Sequence, residues 1–152
     1  GVCRRYIQNE HDIEDTLLKS FCKVFKSLHQ FSNKGSFEGW IRRIVVNEAL
    51  GFIRKKNTNK HLFTVELDDS HNLSTTYNAS DNIHTTDILK LLDLLPTGYR
   101  TVFNLYAIEG YSHKEIAAQL AVSINTSKSQ LLKARRMLQH LLNDAKYKQT
   151  ST

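Results

Sequence analysis

A chain of 152 residues with a net charge of +6 is sized for one or two small domains and suits a polyanionic partner: nucleic acid, an acidic protein or an anionic surface. No apolar run reaches membrane-spanning length, and no stretch has the layout of a secretory signal, so membrane insertion is set aside. Cys3 and Cys22 form no metal-spaced pair and the seven histidines are scattered, which leaves no zinc site, no expected cofactor, and free thiols in a reducing, cytoplasmic setting.

A single proline and six glycines leave the chain free to be helical throughout. Residues 2–7 read as the second half of a helix, with Gly1 expected to be a truncation point. Over residues 12–31 the apolar positions are Ile13, Leu17, Phe21, Val24, Leu28 and Phe31, the steps of three and four of an amphipathic helix. Glu10, Asp12, Glu14 and Asp15 sit at its start, where acids meet the positive end of the helix dipole. That placement accounts for the cluster better than acid–base chemistry does. Residues 32–36 form a polar loop. Phe37, Trp40, Ile41, Ile44, Val45, Ala49 and Phe52 trace a second long helix, which ends in Arg54, Lys55 and Lys56.

Residues 57–86 have weak periodicity and many Asn, Ser, Thr and Asp residues, the composition of a linker. Residues 63–67 have strand-like composition but no partner strand. Helical period resumes at Ile88, Leu91, Leu92 and Leu95 ahead of Pro96. It runs on through Tyr99, Val102, Phe103 and Tyr106 to Gly110, a C-cap by type. Ser112 and Glu115 then make an S-x-x-E capping box. Ile116, Ala117 and Leu120 give an apolar face, and Ala121, Val122 and Ser123 turn the chain. A second helix, capped by Ser123, turns Leu131, Ala134, Leu138 and Leu141 inward. It offers Asn125, Thr126, Lys128, Ser129, Gln130 and Lys133 outward, groups able to reach bases and phosphates. This is the pattern of a helix-turn-helix, and equally of a solvated helical hairpin.

Charge distribution favours the first. Arg42, Arg43, Arg54, Lys55, Lys56 and Lys60 make one basic pole, and Lys128, Lys133, Arg135 and Arg136 another. Glu66, Asp68, Asp69 and Asp81 lie between. There is no Walker loop, G-x-S-x-G or H-E-x-x-H motif, so no enzymatic activity is expected. In residues 37–56, Trp40 stands among Arg42, Arg43, Asn47, Arg54 and Lys55; cations beside an aromatic ring suit unstacked single strands. The loop at 31–37 is placed to cup a flipped base.

The run Asp12-Ile13-Glu14-Asp15-Thr16-Leu17-Leu18 on through Leu28, continued by Phe37-Glu38-Gly39-Trp40-Ile41-Arg42-Arg43-Ile44-Val45-Val46-Asn47-Glu48-Ala49-Leu50, resembles the second conserved region of bacterial sigma factors. Leu95-Pro96-Thr97-Gly98-Tyr99-Arg100-Thr101-Val102-Phe103-Asn104-Leu105 and residues 111–136 resemble the fourth. Order, spacing and linker length are similar to the extracytoplasmic-function group of the sigma-70 family, in its Bacteroidetes style. The resemblance implies an all-α protein of two small helical domains. Residues 1–56 would be region 2, 57–86 a linker threading near the polymerase's RNA exit path, 87–143 region 4, and 144–152 a polar tail.

It also implies binding to core RNA polymerase and promoter DNA, control by an anti-sigma factor, and no small-molecule substrate. Asp15, Leu17, Leu18, Phe21, Lys23, Val24 and Phe25 would dock on the coiled coil of the polymerase's largest subunit. Asn33, Lys34, Ser36, Trp40, Arg42, Arg43, Asn47, Arg54 and Lys55 would read and melt the minus-ten element. Asn125, Thr126, Lys128, Ser129, Gln130, Lys133 and Arg136 would engage the minus-thirty-five element. Leu18 and Lys19 stand where the family usually has glutamine and an acid, Ser127 where it often has an apolar residue, and Ala121 where it often has glycine. The competing assignment is a stand-alone helix-turn-helix regulator; a purely structural adaptor leaves both basic poles unexplained.

Overall fold

The computed structural model describes the backbone of residues 1–56 and 85–150, and the side chains of 1–56 and 89–143. Among these residues the fold is all-α, without a strand. The chain divides into two compact units, Gly1–Asn59 and Lys60–Thr152. The expected linker and the strand-like residues 63–67 lie outside the described residues, except that Thr85 and Thr86 already belong to a helix.

In the first unit, a 3₁₀ turn at Cys3–Arg5 replaces the expected end of a helix, and it buries Cys3, Tyr6 and Ile7. Burial pushes the Cys3 thiol up. α1 (Glu10–Ser27) is capped by Asn9, whose side chain accepts from the Asp12 amide at 3.1 Å. α2 (Phe37–Lys56) packs along it.

The inward seam of α1 differs from the sequence expectation. Ile13, Thr16, Ser20 and Val24 are buried, while Phe21 and Leu28 are exposed and Leu17 is half-buried. The two buried hydroxyls are satisfied within the helix: Thr16 Oγ1 donates to the Asp12 carbonyl at 2.7 Å, and Ser20 Oγ to that of Thr16 at 2.6 Å. Small side chains at Thr16 and Ser20, with fully buried Ala49 on α2, are those that let neighbouring helices approach closely. On α2 the core positions are Val45, Val46, Ala49, Leu50 and Ile53. Phe37 is exposed, and Ile41, Ile44 and Phe52 are only half-buried. Two ion pairs tie α1 to α2, Lys23–Glu48 at 2.7 Å and Asp12–Lys56 at 2.8 Å.

The second unit holds α3 (Thr85–Asp93), α4 (Thr97–Phe103), α5 (His113–Leu120) and α6 (Ile124–Thr150). Pro96 ends α3's segment and leads into α4. A π-helical turn, Asn104–Ile108, follows α4 and closes at Gly110, whose φ of +77° supplies the left-handed turn. Leu92, Leu95 and Ala134 form a core cluster with Tyr99, Phe103, Met137 and Leu138 against it. Arg100 is almost wholly buried; its guanidinium donates to the Asp93 carbonyl at 3.3 Å and lies 3.8 Å from the Asp93 carboxylate. Burial pulls its pKa down while Asp93 opposes the shift. The backbone of α6 continues helically across residues 144–150, into the segment expected to be a polar tail.

Candidate nucleic-acid interface

Within the first unit, the outer face of α1 carries large apolar side chains. Leu18 is 66% exposed and Phe25 74%, and Phe21 and Leu28 join them at steps of three and four beside exposed Asp15. Val24, expected to belong to this face, is 5% exposed and packs in the core; one helical step of about 100° separates it from Phe25. Lys23 is exposed but engaged with Glu48. Cys22 is exposed.

The loop between α1 and α2 is closed at both ends by aromatic rings. Phe31 meets Phe37 edge-on at 5.2 Å and Trp40 at 5.5 Å, and Phe37 stacks on Trp40 at 5.9 Å with an interplanar angle of 21°. Between them, Asn33 (φ 55°) and Gly35 (φ 94°) turn the backbone through the left-handed region. Ser36 Oγ accepts from the Gly39 amide at 3.3 Å, so its hydroxyl serves the start of α2. Asn33, Lys34 and Ser36 are all exposed on this loop. Half-buried Trp40 and exposed Arg43, Asn47 and Arg54 recur at the helical period along α2 and share one face. Arg42 is half-buried, and exposed Lys55 extends the basic end. Lys56 is held by Asp12 and lies 5.4 Å from the Phe52 ring centroid.

The second unit contains the helix-turn-helix. Ser112 and Glu115 form the capping box of α5, with the Ser112 amide donating to Glu115 Oε2 at 2.8 Å and the Glu115 amide to Ser112 Oγ at 3.3 Å. Ala121 leaves α5 at φ 55°, ψ 44°, the left-handed conformation that explains why glycine suits this position. Ser123 caps α6, accepting from the Thr126 amide at 2.9 Å. Ile116, Ala117 and Leu120 on α5 and Leu131 and Ala134 on α6 are buried between the helices and their neighbours, whereas Leu138 and Leu141 are half-buried.

The seven residues expected to face DNA from α6 do not share one face. Asn125, Lys128 and Arg136 are exposed. Half-buried Thr126 and Ser129 are hydrogen-bonded within the turn, Thr126 Oγ1 to Ser123 Oγ at 2.8 Å and Ser129 Oγ to the Thr126 carbonyl at 3.0 Å. Lys133 is half-buried at the flank. Gln130 is 2% exposed, which corrects its placement on the outer face: it sits one step from Leu131, on the buried side of the helix. Arg135 and Leu132, omitted from the expected set, are exposed on the same side as Lys128. Arg135 lies 5.7 Å from the Tyr106 ring, which stacks on His113 at 4.6 Å. Among the described residues no helix is long and apolar enough to cross a membrane, and no group of three His, Cys, Asp or Glu is placed to hold a metal ion.

Residues 1–58 match the family described as Sigma-70 region 2, and residues 85–138 that described as Sigma-70, region 4. The extracytoplasmic-function (ECF) RNA polymerase sigma factor SigE of Mycolicibacterium smegmatis is 31% identical over 138 residues, 88% of this chain and 53% of that protein. This chain therefore spans about half the length of that relative. SigW of Bacillus subtilis, also named an ECF RNA polymerase sigma factor, is 28% identical over 155 residues, 94% of this chain and 82% of its own. Among solved structures, the sigma factor RpoE in complex with the anti-sigma factor NepR from Bartonella quintana is similar in fold. Its TM-score is 0.57 at 23% identity, over 93% of this chain and 88% of that one. CnrH, in complex with the cytosolic domain of CnrY, gives 0.51 at 23% identity, over 94% and 79%. With both regions matched in one chain and in this order, the protein belongs to the extracytoplasmic-function group of the sigma-70 family.

Proposed function

We propose that this chain binds core RNA polymerase, directs it to promoter DNA and aids strand opening, acting as an initiation factor in the cytoplasm without catalysis of its own. The observation that carries this is the outward apolar face of α1. Leu18, Phe21, Phe25 and Leu28 are exposed on a helix whose hydroxyl-bearing Thr16 and Ser20 are turned into the core. A contiguous apolar face of that kind marks a protein partner. Residues 1–56 supply this docking face together with the α2 face of Trp40, Arg43, Asn47 and Arg54 for the minus-ten element. Residues 87–143 supply α6 for the minus-thirty-five element.

A stand-alone helix-turn-helix regulator leaves residues 1–58, which match region 2, without a role. One of the similar solved structures is a sigma factor in complex with an anti-sigma factor, and an anti-sigma factor is the corresponding partner here. The test is co-elution of the full chain with core polymerase. A folded, inhibitor-free protein that fails to co-elute overturns the proposal. Leu18 and Lys19 alter the docking contact without abolishing it.

A further inference from the structure

The outer stripe of α6 has two apolar members, Ile124 at the helix's first residue and Leu132 two turns further in. Asn125, Lys128, Leu132, Arg135 and Gln139 recur at steps of three and four, Arg136 stands beside Arg135, and all are exposed. Of the two apolar side chains, Leu132 alone has cations both a turn before it and a turn after it, Lys128 on one side and Arg135 and Arg136 on the other. It is 49% exposed, while Leu131 beside it and Ala134 beyond are buried, so the core of the unit is complete without it. A lone exposed leucine is ordinary on a protein surface. This one lies one turn after Lys128 and one turn before Arg135 and Arg136, two turns into a helix that follows a capped turn. A stripe of cations with a leucine at its centre is complementary to a surface that is anionic at its rim and apolar at one point within.

The major groove of DNA is such a surface. Phosphates line its edges, and among the base edges on its floor the thymine 5-methyl group is the apolar feature. We infer that Leu132 packs against the 5-methyl group of a thymine in the upstream promoter element and is a specificity-determining residue for it. The inference rests on the docking of α6 proposed above. Lys128, Arg135 and Arg136 hold the helix in the groove, and Leu132 converts that non-selective attraction into a preference at one base pair.

The experiment uses the full chain bound to core polymerase and a pool of duplexes with a randomised upstream element. Each thymine of the enriched duplex is then replaced singly by deoxyuridine, which removes only the methyl group. The wild type is expected to lose about fourfold in affinity at one thymine, the worth of one buried methyl group. Leu132→Ala should bind the thymine duplex more weakly by at least that factor and be indifferent to the replacement. Insensitivity of the wild type at every thymine overturns the inference, as does an equal loss in both proteins. Loss of polymerase co-elution in Leu132→Ala overturns it too, because the side chain then faces protein. If no duplex is enriched at all, the docking of α6 falls and this inference with it; enrichment without a methyl effect removes this inference alone.

Discussion

The Nδ1 atom of His113 lies 2.9 Å from the hydroxyl of fully buried Ser127, so the first residue of α5 is fastened to the inner side of α6. The Ser127 hydroxyl meets its hydrogen-bonding need through that imidazole. The other face of the corner is Tyr106, stacked on His113 and approached by Arg135. The helix-turn-helix angle is thus held by a titratable ring with two cations, Lys128 and Arg135, in its neighbourhood.

Burial first, and then Lys128 and Arg135, hold the His113 pKa below the usual 6.5. The folded state therefore favours neutral imidazole, and the unfolded chain takes up its proton first as the solution is acidified. The stability this neutral ring provides is complete above pH 6.5 and is lost as pH falls from there through the lower folded value. Thermal unfolding compared at about pH 7.5 and about pH 5 should show a larger acid-side loss for the wild type than for His113→Gln. Equal losses in the two proteins would remove His113 as the cause.

Ala121 occupies the left-handed region with a Cβ, which costs roughly 1–2 kcal/mol. The greater chain entropy of an unfolded glycine offsets about 0.5–1 kcal/mol of any relief. Ala121→Gly is expected to stabilise the second unit by about 0.5–1 kcal/mol, and Ala121→Val to destabilise it, because a β-branched side chain is worse suited to this conformation. Thermal melts of the two variants in the full chain measure the difference. A destabilised glycine variant would mean that the alanine methyl contributes packing that outweighs its strain.

The helices were legible in the sequence because steps of three and four identify a helix whichever way it faces. The inward direction was not, and α1 shows why. Its large apolar residues and its small hydroxyl residues both recur at the helical period. Hydrophobicity alone places Phe21 and Leu28 inside, whereas the structure puts Thr16 and Ser20 there. The signal available was the i to i+4 spacing of Thr16 and Ser20, since each hydroxyl can return its hydrogen bond to its own helix and so sit in a core with no other polar partner. Gln130 is the opposite case: its polar type points outward, yet it is buried beside core Leu131. The capping box and the Ser123 cap are local, and local chemistry is what a sequence states most directly.

Val24 and Phe25 are neighbours in sequence with opposite surroundings, 5% and 74% exposed. Val24→Ala should lower the stability of the first unit by about 1–3 kcal/mol while a folded fraction still binds core polymerase. Phe25→Ala should leave stability within about 0.5 kcal/mol and weaken co-elution with the polymerase. Urea melts of both variants beside size-exclusion of their polymerase mixtures separate the two effects. Undiminished co-elution of Phe25→Ala together with Leu18→Ala would place the docking surface elsewhere.

The two basic faces predict separable defects. Trp40 spends its ring on Phe31 and Phe37, so Trp40→Ala is expected to loosen the loop that precedes α2, while Asn47→Ala removes an exposed side chain from the same helical face. Both should impair strand opening and leave binding to an upstream duplex intact. Trp40→Phe should retain opening better than Trp40→Ala if the ring's task is to close the loop. Lys128→Ala on α6 should do the reverse. If Lys128 reads a base, its loss costs about 1–3 kcal/mol at one position. If it holds a phosphate, all sequences weaken alike and the salt dependence flattens by roughly one unit of slope. Gln130→Ala, at a buried position, is expected to lower stability and to leave sequence preference unchanged. Permanganate footprinting of the opened bubble, set beside affinity for the upstream duplex, reads both defects in the same holoenzyme. The same defect from Trp40→Ala and Lys128→Ala in both assays would mean that one site, not two, meets the promoter.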